Sequence, residues 1–387
     1  MDPQAWNGRR IDHSHRHGGP IDIVYLWVDG SDPLWQVKRQ QAYAAWASRH
    51  AGDLAAYGNV LGRFRDNEEL RFNLRALERF FPDHGQVYIV TDGQAPAWLS
   101  HDPGITVVDH QDLMTGSDLP VFDSGHIESY IHRIPGLSER FFYLNDDIFF
   151  GAPVDPAEWF GTPLSIAMEA APSDIPDAPV PTETALVNAA ALSRRWLRAQ
   201  SPDYQHDPRL CAHAPRPLLR SAMFELERRA PELFQQVRST PFRSWRVPPI
   251  VSDLVLRWMI HTGLAAPVTR DHLYIATGAE EAPQCFERLA ERFGEWSFFC
   301  INDTCDDASA DDARLLQVRG QLGALLPTPS RFEVPDGMAP HASVPCPHAP
   351  AASRAMPLQP LTAPPPGHAH SPSSPAPSPT TAGAAAV

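Results

Sequence analysis

The sequence predicts an α/β fold built on a mostly parallel sheet, and three observations carry that reading. Short β-branched and aromatic runs alternate with segments of helical periodicity through the first half of the chain. The helical segments open on capping residues. Several of the apolar runs end in acids, at what would be their carboxyl ends, where open α/β sheets form their ligand crevice.

Taken in order, residues 21–28 read as the first strand, and Asp32 followed by Pro33 caps a helix running to about Ser48. Asp66 and Glu69 stand at capping-box spacing ahead of Leu70, Leu74 and Leu77, whose period predicts a helix ending near Phe81. Residues 86–91, 105–109 and 140–144 are the next strands. Crossovers between parallel strands of one sheet are right-handed. Beyond them the chain reads as more helical, with amphipathic helices expected over 217–236, 251–262 and 312–325.

At 387 residues the chain can bury a substantial core in one large domain or two ordinary ones. Residues 1–20, with His13, His15 and His17, and the Pro-, Ala- and Ser-rich stretch 335–387 are expected to be disordered, leaving 21–334 as the folded unit. A formal charge of −14 argues against a general nucleic-acid binder. No apolar run is long enough to span a membrane and the first thirty residues lack a secretory layout, so a cytoplasmic protein is expected. Peripheral docking on a membrane-bound export complex stays compatible with that. The five cysteines are scattered without a CxxC pair and read as free thiols.

The strongest chemical signal is the aromatic run 140–150, interrupted by Asn145, Asp146 and Asp147. Acids at the end of a core strand cost free energy unless paired or bound to a cation. Short acidic turns are also common, so a turn and a cation site both stand on this segment alone. The first strand repeats the pattern: Trp27 is placed to stack on a base, Asp29 to bind a ribose or cation, and Gly30 to let backbone approach a ligand. Phe298 to Asp307 repeats it again with Asn302 and Asp303. Arg63, Arg65 and Arg71 cluster with Asp66, Asn67 and Glu68 at a helix start, which reads as an anion site or as a capped, solvated helix. Glu128 and His132 stand four apart, as on one helical face. His213 lies in a loop followed by Arg216, with Arg246 later after Trp245. A loop histidine can take a proton near neutral pH.

These segments together resemble the Stealth family of sugar-phosphate transferases, which includes bacterial capsule-polysaccharide phosphotransferases and the catalytic subunit of N-acetylglucosamine-1-phosphotransferase. The family's four conserved regions match in order over about 21–33, 63–160, 211–263 and 298–332. The resemblance implies a glycosyltransferase-A-like, Rossmann-like core with helices on both faces of the sheet. It implies a nucleoside diphosphate sugar donor of the UDP-N-acetylhexosamine type, a glycan acceptor, and Mg²⁺ or Mn²⁺. The expected reaction is attack of an acceptor hydroxyl on the sugar-bearing phosphorus, leaving a phosphodiester and a nucleoside monophosphate, in capsule or exopolysaccharide synthesis. Attack at the anomeric carbon with release of nucleoside diphosphate, or sugar-nucleotide binding without turnover, are the alternatives.

Carried over by motif, Asp146 and Asp147 are expected to be catalytic or metal-binding, with Asn302 and Asp303 as partners across the crevice. His213 is the expected base, and Arg246 and Arg63 the phosphate clamps. Trp27, Asp29, Gly30, Asp66, Asn67, Glu68, Arg71, Glu128 and His132 are expected to line the substrate. Leu26, Ala214 and Thr304 depart from the family's usual Thr, Met and Asn at those places.

Overall fold

The computed structural model describes residues 18–309 and 311–335. The tails expected to be disordered, with the three N-terminal histidines and Cys346, lie largely or wholly outside the described residues. The first strand, β1 (Ile21–Leu26), is buried throughout and forms the middle of the main sheet because its apolar residues leave no solvated face. The others in chain order are β2 (Val87–Thr91), β3 (Ile105–Asp109), β4 (Arg140–Asn145), β5 (Ile148–Phe150), β6 (Leu164–Pro172), β7 (Arg209–Cys211), β8 (Arg216–Leu219), β9 (Ala265–Val268), β10 (His272–Ala276) and β11 (Phe298–Asn302).

The main sheet has the order β3-β2-β1-β4-β8. Its first four strands run parallel, as expected, and β8 closes the edge antiparallel to β4. Two three-stranded sheets, β10-β11-β5 and β7-β6-β9, hold the other strands of the described residues. The fold is thus α/β with a mostly parallel central sheet. The part beyond Phe160, expected to be the more helical, supplies β6 to β11 as well.

Three sequence expectations are corrected. The helix read over 217–236 is instead strand β8, a helix Arg220–Arg229 and a second helix Pro231–Val237. Pro231 cannot continue the first helix and starts the next, while Pro217, lacking an N–H, sits on an edge strand where that donor is not needed. The capping box at Asp66 and Glu69 does not form. The helix Glu69–Phe80 starts from Glu68 in the left-handed region at φ 68°, without a side-chain cap. Glu69 turns back to accept from the backbone and side chain of Asn67, at 2.5 and 2.9 Å. Finally, Glu128 and His132 do not share a helical face, because the helix Ser124–Glu128 stops between them. Glu128 accepts from the Tyr143 hydroxyl at 2.9 Å, and His132 pairs with Glu227 at 2.8 Å.

Two joints fix the crevice. Register pairs Leu26 with Asn145, so β1 and β4 deliver their carboxyl ends side by side. Asp146 and Asp147 then form the tight turn from β4 into β5, which pairs with β11 and sets Cys300 opposite Ile148. The helix Glu69–Phe80 anchors this turn through Asn73. Its side-chain amide donates to the carbonyls of Asp146 and Ile148 at 3.0 and 2.6 Å, and its oxygen accepts from Tyr25.

Candidate active site

Asp147 is the centre of the converging groups. Its Oδ1 lies 3.6 Å from His213 Nε2, and its Oδ2 accepts from the Cys300 thiol at 3.4 Å. His213 reaches it from the loop between β7 and β8, a loop short enough to hold the ring over the β4–β5 turn. Burial pushes the Asp147 carboxyl up, but the neighbouring His213 outweighs it and holds the group below its usual range. Asp147 Oδ1 is shielded from solvent and makes no hydrogen bond.

Asp146, one residue away, goes the other way. Burial, then the charges of Asp147, Glu69 and Asp66, push it well above the carboxylate range. Burial likewise raises Asp66 to about 6 and Glu69 to about 8. One end of the crevice is therefore a group of carboxylates that cannot all ionise together.

The opposing charge comes from arginines. Arg216, only 4% exposed at the start of β8, faces Tyr143 across the strand pair and donates to Asn145 Oδ1 at 3.3 Å. Arg63, half-buried, is brought down to about 9 by burial and by repulsion from Arg243. Arg243 pairs with buried Asp123 at 3.1 Å. The charges of Arg63 and Arg216 both act on Asp147. Each of these two guanidinium groups keeps its Nε buried and without a hydrogen-bond partner, as do Glu128 Oε2 and Asp123 Oδ2. Native proteins seldom leave buried polar atoms orphaned, so these four atoms are candidates for contact with a polar ligand or with water.

Of the residues expected from sequence, Asp146, Asp147, His213, Arg63, Asp66 and Glu128 belong to this group. Others go elsewhere. Arg246 is 57% exposed, pairs with Asp53 and stacks on Trp245 at 4.2 Å. Asp303 is taken by Arg65 at 2.5 Å and by Asn67 at 3.1 Å, and Asn302 donates to Tyr274. Arg71 binds Glu333 and Glu68. Trp27 is buried in the core, and Asp29 accepts from the backbone and hydroxyl of Ser31. Gly30 is needed for close approach to the chain itself: a Cβ there would lie 2.1 Å from the Phe64 carbonyl oxygen, whose hydrogen bond to Gly30 N measures 2.8 Å. Arg243 and Cys300 were not singled out from sequence, Glu69 was read only as a capping residue, and Arg216 was noted only as following His213. Only Arg216, three residues after His213, carried a local signal.

Mg²⁺ is held by one or two carboxylates, waters and substrate phosphates more often than by an all-protein cage. The Asp146–Asp147 turn fits such an ion, since the burial and then the neighbouring negative charge that raise Asp146 are both offset by a cation. Asn302 and Asp303 already have protein partners.

Stability should report the carboxylate group in the absence of metal. Folding raises Glu69 from its ordinary 4.5 to about 8, so the folded state binds the proton more tightly and the associated stability is lost as pH rises through 8. Buried histidines such as His110, lowered to about 4, act in the opposite sense only below their ordinary 6.5. Metal-free protein is therefore expected to lose stability between pH 6.5 and 8, and Glu69→Gln to flatten that loss, as read from urea midpoints at several pH values.

The profile of Stealth protein conserved region 2 matches residues 63–166 and that of conserved region 1 matches 19–43. An exopolysaccharide phosphotransferase of Streptomyces coelicolor is 37% identical over 316 residues, covering 81% of this chain and 52% of that protein. The exopolysaccharide phosphotransferase CpsY of Mycobacterium tuberculosis is 32% identical over 317 residues, covering 81% and 58%. The chain thus spans about half the length of these curated relatives. Among solved structures, the galactosyltransferase LgtC in complex with donor and acceptor sugar analogues aligns at a TM-score of 0.37 and 12% identity, over 82% of this chain and 98% of that one.

Proposed function

The chain belongs to the Stealth family, whose first and second conserved regions it carries, and on that footing we propose that it is a sugar-1-phosphate transferase. The donor is a nucleoside diphosphate sugar of the UDP-N-acetylhexosamine type and the acceptor a glycan hydroxyl of an exopolysaccharide or capsule. The names of the relatives support the reaction class. The observation that carries the reading is the Asp147–His213 pair facing Arg63 and Arg216, each with an unpartnered buried Nε. Phosphoryl transfer needs positioning, charge neutralisation and a base, and this cluster offers all three.

In this scheme Arg63 and Arg216 bind and orient the diphosphate, while the nearby charges of Asp123 and Glu128 favour the charged form of Arg63 and the charge of Glu128 that of Arg216. Asp147 orients His213 through Nε2, leaving Nδ1 to take the proton of the acceptor hydroxyl. The acceptor oxygen forms a bond to the sugar-bearing phosphorus, and the bond from that phosphorus to the bridging oxygen breaks with release of nucleoside monophosphate. A Mg²⁺ or Mn²⁺ ion held by Asp146 and Asp147 would supply further neutralisation of the diphosphate. Among the described residues no helix is long and apolar enough to cross a membrane, which is compatible with action in the cytoplasm beside an export complex.

Purified protein incubated with UDP-N-acetylglucosamine, Mg²⁺ and oligosaccharide acceptors should release UMP; UDP as the product would replace this reading with ordinary glycosyl transfer. Arg216→Ala should weaken kcat/KM by about 10- to 100-fold, the worth of a charge-assisted hydrogen bond. Arg246→Ala should stay within about twofold, since an exposed pair contributes little. Equal losses in the two variants would move the clamp back to Arg246.

A further inference from the structure

One atom in the cleft has no part in that scheme: the sulfur of Cys300. It sits among the oxygen and nitrogen donors of the proposed dyad. We infer that Asp147, His213 and Cys300 together form a capture site for a thiophilic divalent cation, Zn²⁺ above others, and that its occupancy silences the transfer reaction by engaging both members of the dyad. The silencing rests on the function proposed above; the binding does not.

One ligand atom from each of the three residues lies within 4.8 Å of the other two. Zinc binds sulfur at about 2.3 Å and nitrogen or oxygen at about 2.0 Å, so the edges of its tetrahedron measure about 3.5 Å for S to O and about 3.3 Å for N to O. Cys300 Sγ stands 3.4 Å from Asp147 Oδ2 and His213 Nε2 stands 3.6 Å from the other oxygen, Oδ1, so both neighbours are near edge length but on different oxygens of the carboxylate. The pairing of β5 with β11 fixes the sulfur, because Cys300 is 1% exposed and stands opposite Ile148, next to Asp147. A metal therefore needs only modest motion of His213, which is on a loop and partly exposed. Asp147 Oδ1, buried without a hydrogen bond, is open to such a partner.

The mixed donor set decides which ion. Mg²⁺ takes oxygen ligands and leaves a thiol aside, whereas Zn²⁺ and Co²⁺ accept sulfur and imidazole. On binding, the Cys300 S–H proton leaves to solvent as the metal–sulfur bond forms. The bound ion occupies His213 Nε2 and the Asp147 carboxylate, so the imidazole can no longer act as a base backed by Asp147.

Metal-free full-length protein titrated with Co²⁺ tests the site directly. One equivalent should bind with a thiolate-to-cobalt charge-transfer band in the near ultraviolet. The band should vanish on adding Zn²⁺, survive excess Mg²⁺, and be missing in Cys300→Ser. His213→Gln, altered at a partly exposed ligand, should weaken Co²⁺ binding as well. No band in the wild type, the same band in Cys300→Ser, or displacement by Mg²⁺ would overturn the site. In the UMP-release assay with Mg²⁺ present, Zn²⁺ should inhibit the wild type, and Cys300→Ser should need at least about tenfold more, given that even an outer-shell partner is worth that much in affinity. Inhibition of each protein is read against its own rate in zinc-free buffer. Equal sensitivity of the two proteins would overturn the silencing. A protein that releases no nucleotide under any condition would remove the functional reading, and the cobalt spectrum would still decide the site.

Discussion

Asp147→Asn is expected to lower kcat for UMP release by about 10³-fold while leaving the melting temperature within a few degrees of the wild type. The substitution keeps the size of the side chain and an oxygen to accept from the Cys300 thiol. What it removes is the charge that faces His213. A base that has lost the group orienting it forfeits most of the 10²- to 10⁴-fold that general-base catalysis contributes. Stability should hold because the charge of Asp147, after burial, helps push Asp146 up, so its removal relieves repulsion in the turn. Steady-state kinetics with scanning calorimetry on the same preparation checks both halves. A rate within tenfold of wild type would remove Asp147 from the chemistry, and a collapse in melting temperature would recast it as structural.

The largest expected stability effect lies away from the cleft. Arg257→Met should cost about 3–5 kcal/mol and lower the melting temperature by about 10 °C. Arg257 is 2% exposed and holds the fully buried Asp253 through Nε, at 2.9 and 2.8 Å from its two oxygens. The same guanidinium donates to the carbonyls of Asp207 and Arg209, at 2.9 and 2.7 Å. Methionine fills most of the space but leaves one buried carboxylate and two carbonyls without donors. Because Arg209 opens β7, the strand that leads to the His213 loop, activity should fall along with stability. The double variant Asp253→Leu with Arg257→Met should recover part of the loss, since removing both charges of a buried pair costs less than removing one. Urea midpoints for the two single variants and the double variant form the test.

The strands of the main sheet were legible because a buried parallel sheet demands continuous β-branched and aromatic runs, and 21–28, 86–91 and 140–144 have them. Strand β8 was not. Leu218 and Leu219 fit a helical stripe as well as a strand, and only the pairing of Tyr143 with Arg216 decides between them. Asp147 and Arg63, which the candidate cluster brings near one another, stood out because acids and arginines at element ends are conspicuous in sequence. The contrast between Arg246 and Arg243 has a physical origin. Both lie in one irregular segment, and nothing local says that Arg243 reaches inward to Asp123 while Arg246 turns outward over Trp245. Asn302 and Asp303 copied the motif of Asn145 and Asp146, yet β11 ends beside Arg65, which claims Asp303. Cys300 was invisible because a cysteine in an apolar strand looks like any small core residue until the antiparallel partner brings an aspartate to it.

The grip of Asn73 on the β4–β5 turn bears on how the cleft receives charge. With the carbonyls of Asp146 and Ile148 already satisfied by one amide, the turn cannot relax by rotating its peptide groups toward an incoming cation or away from an incoming phosphate. The electrostatic discomfort of the adjacent carboxylates is thereby stored in a rigid frame. When the ligands arrive, little reorganisation energy remains to be supplied, because the dipoles were fixed in place as the chain folded.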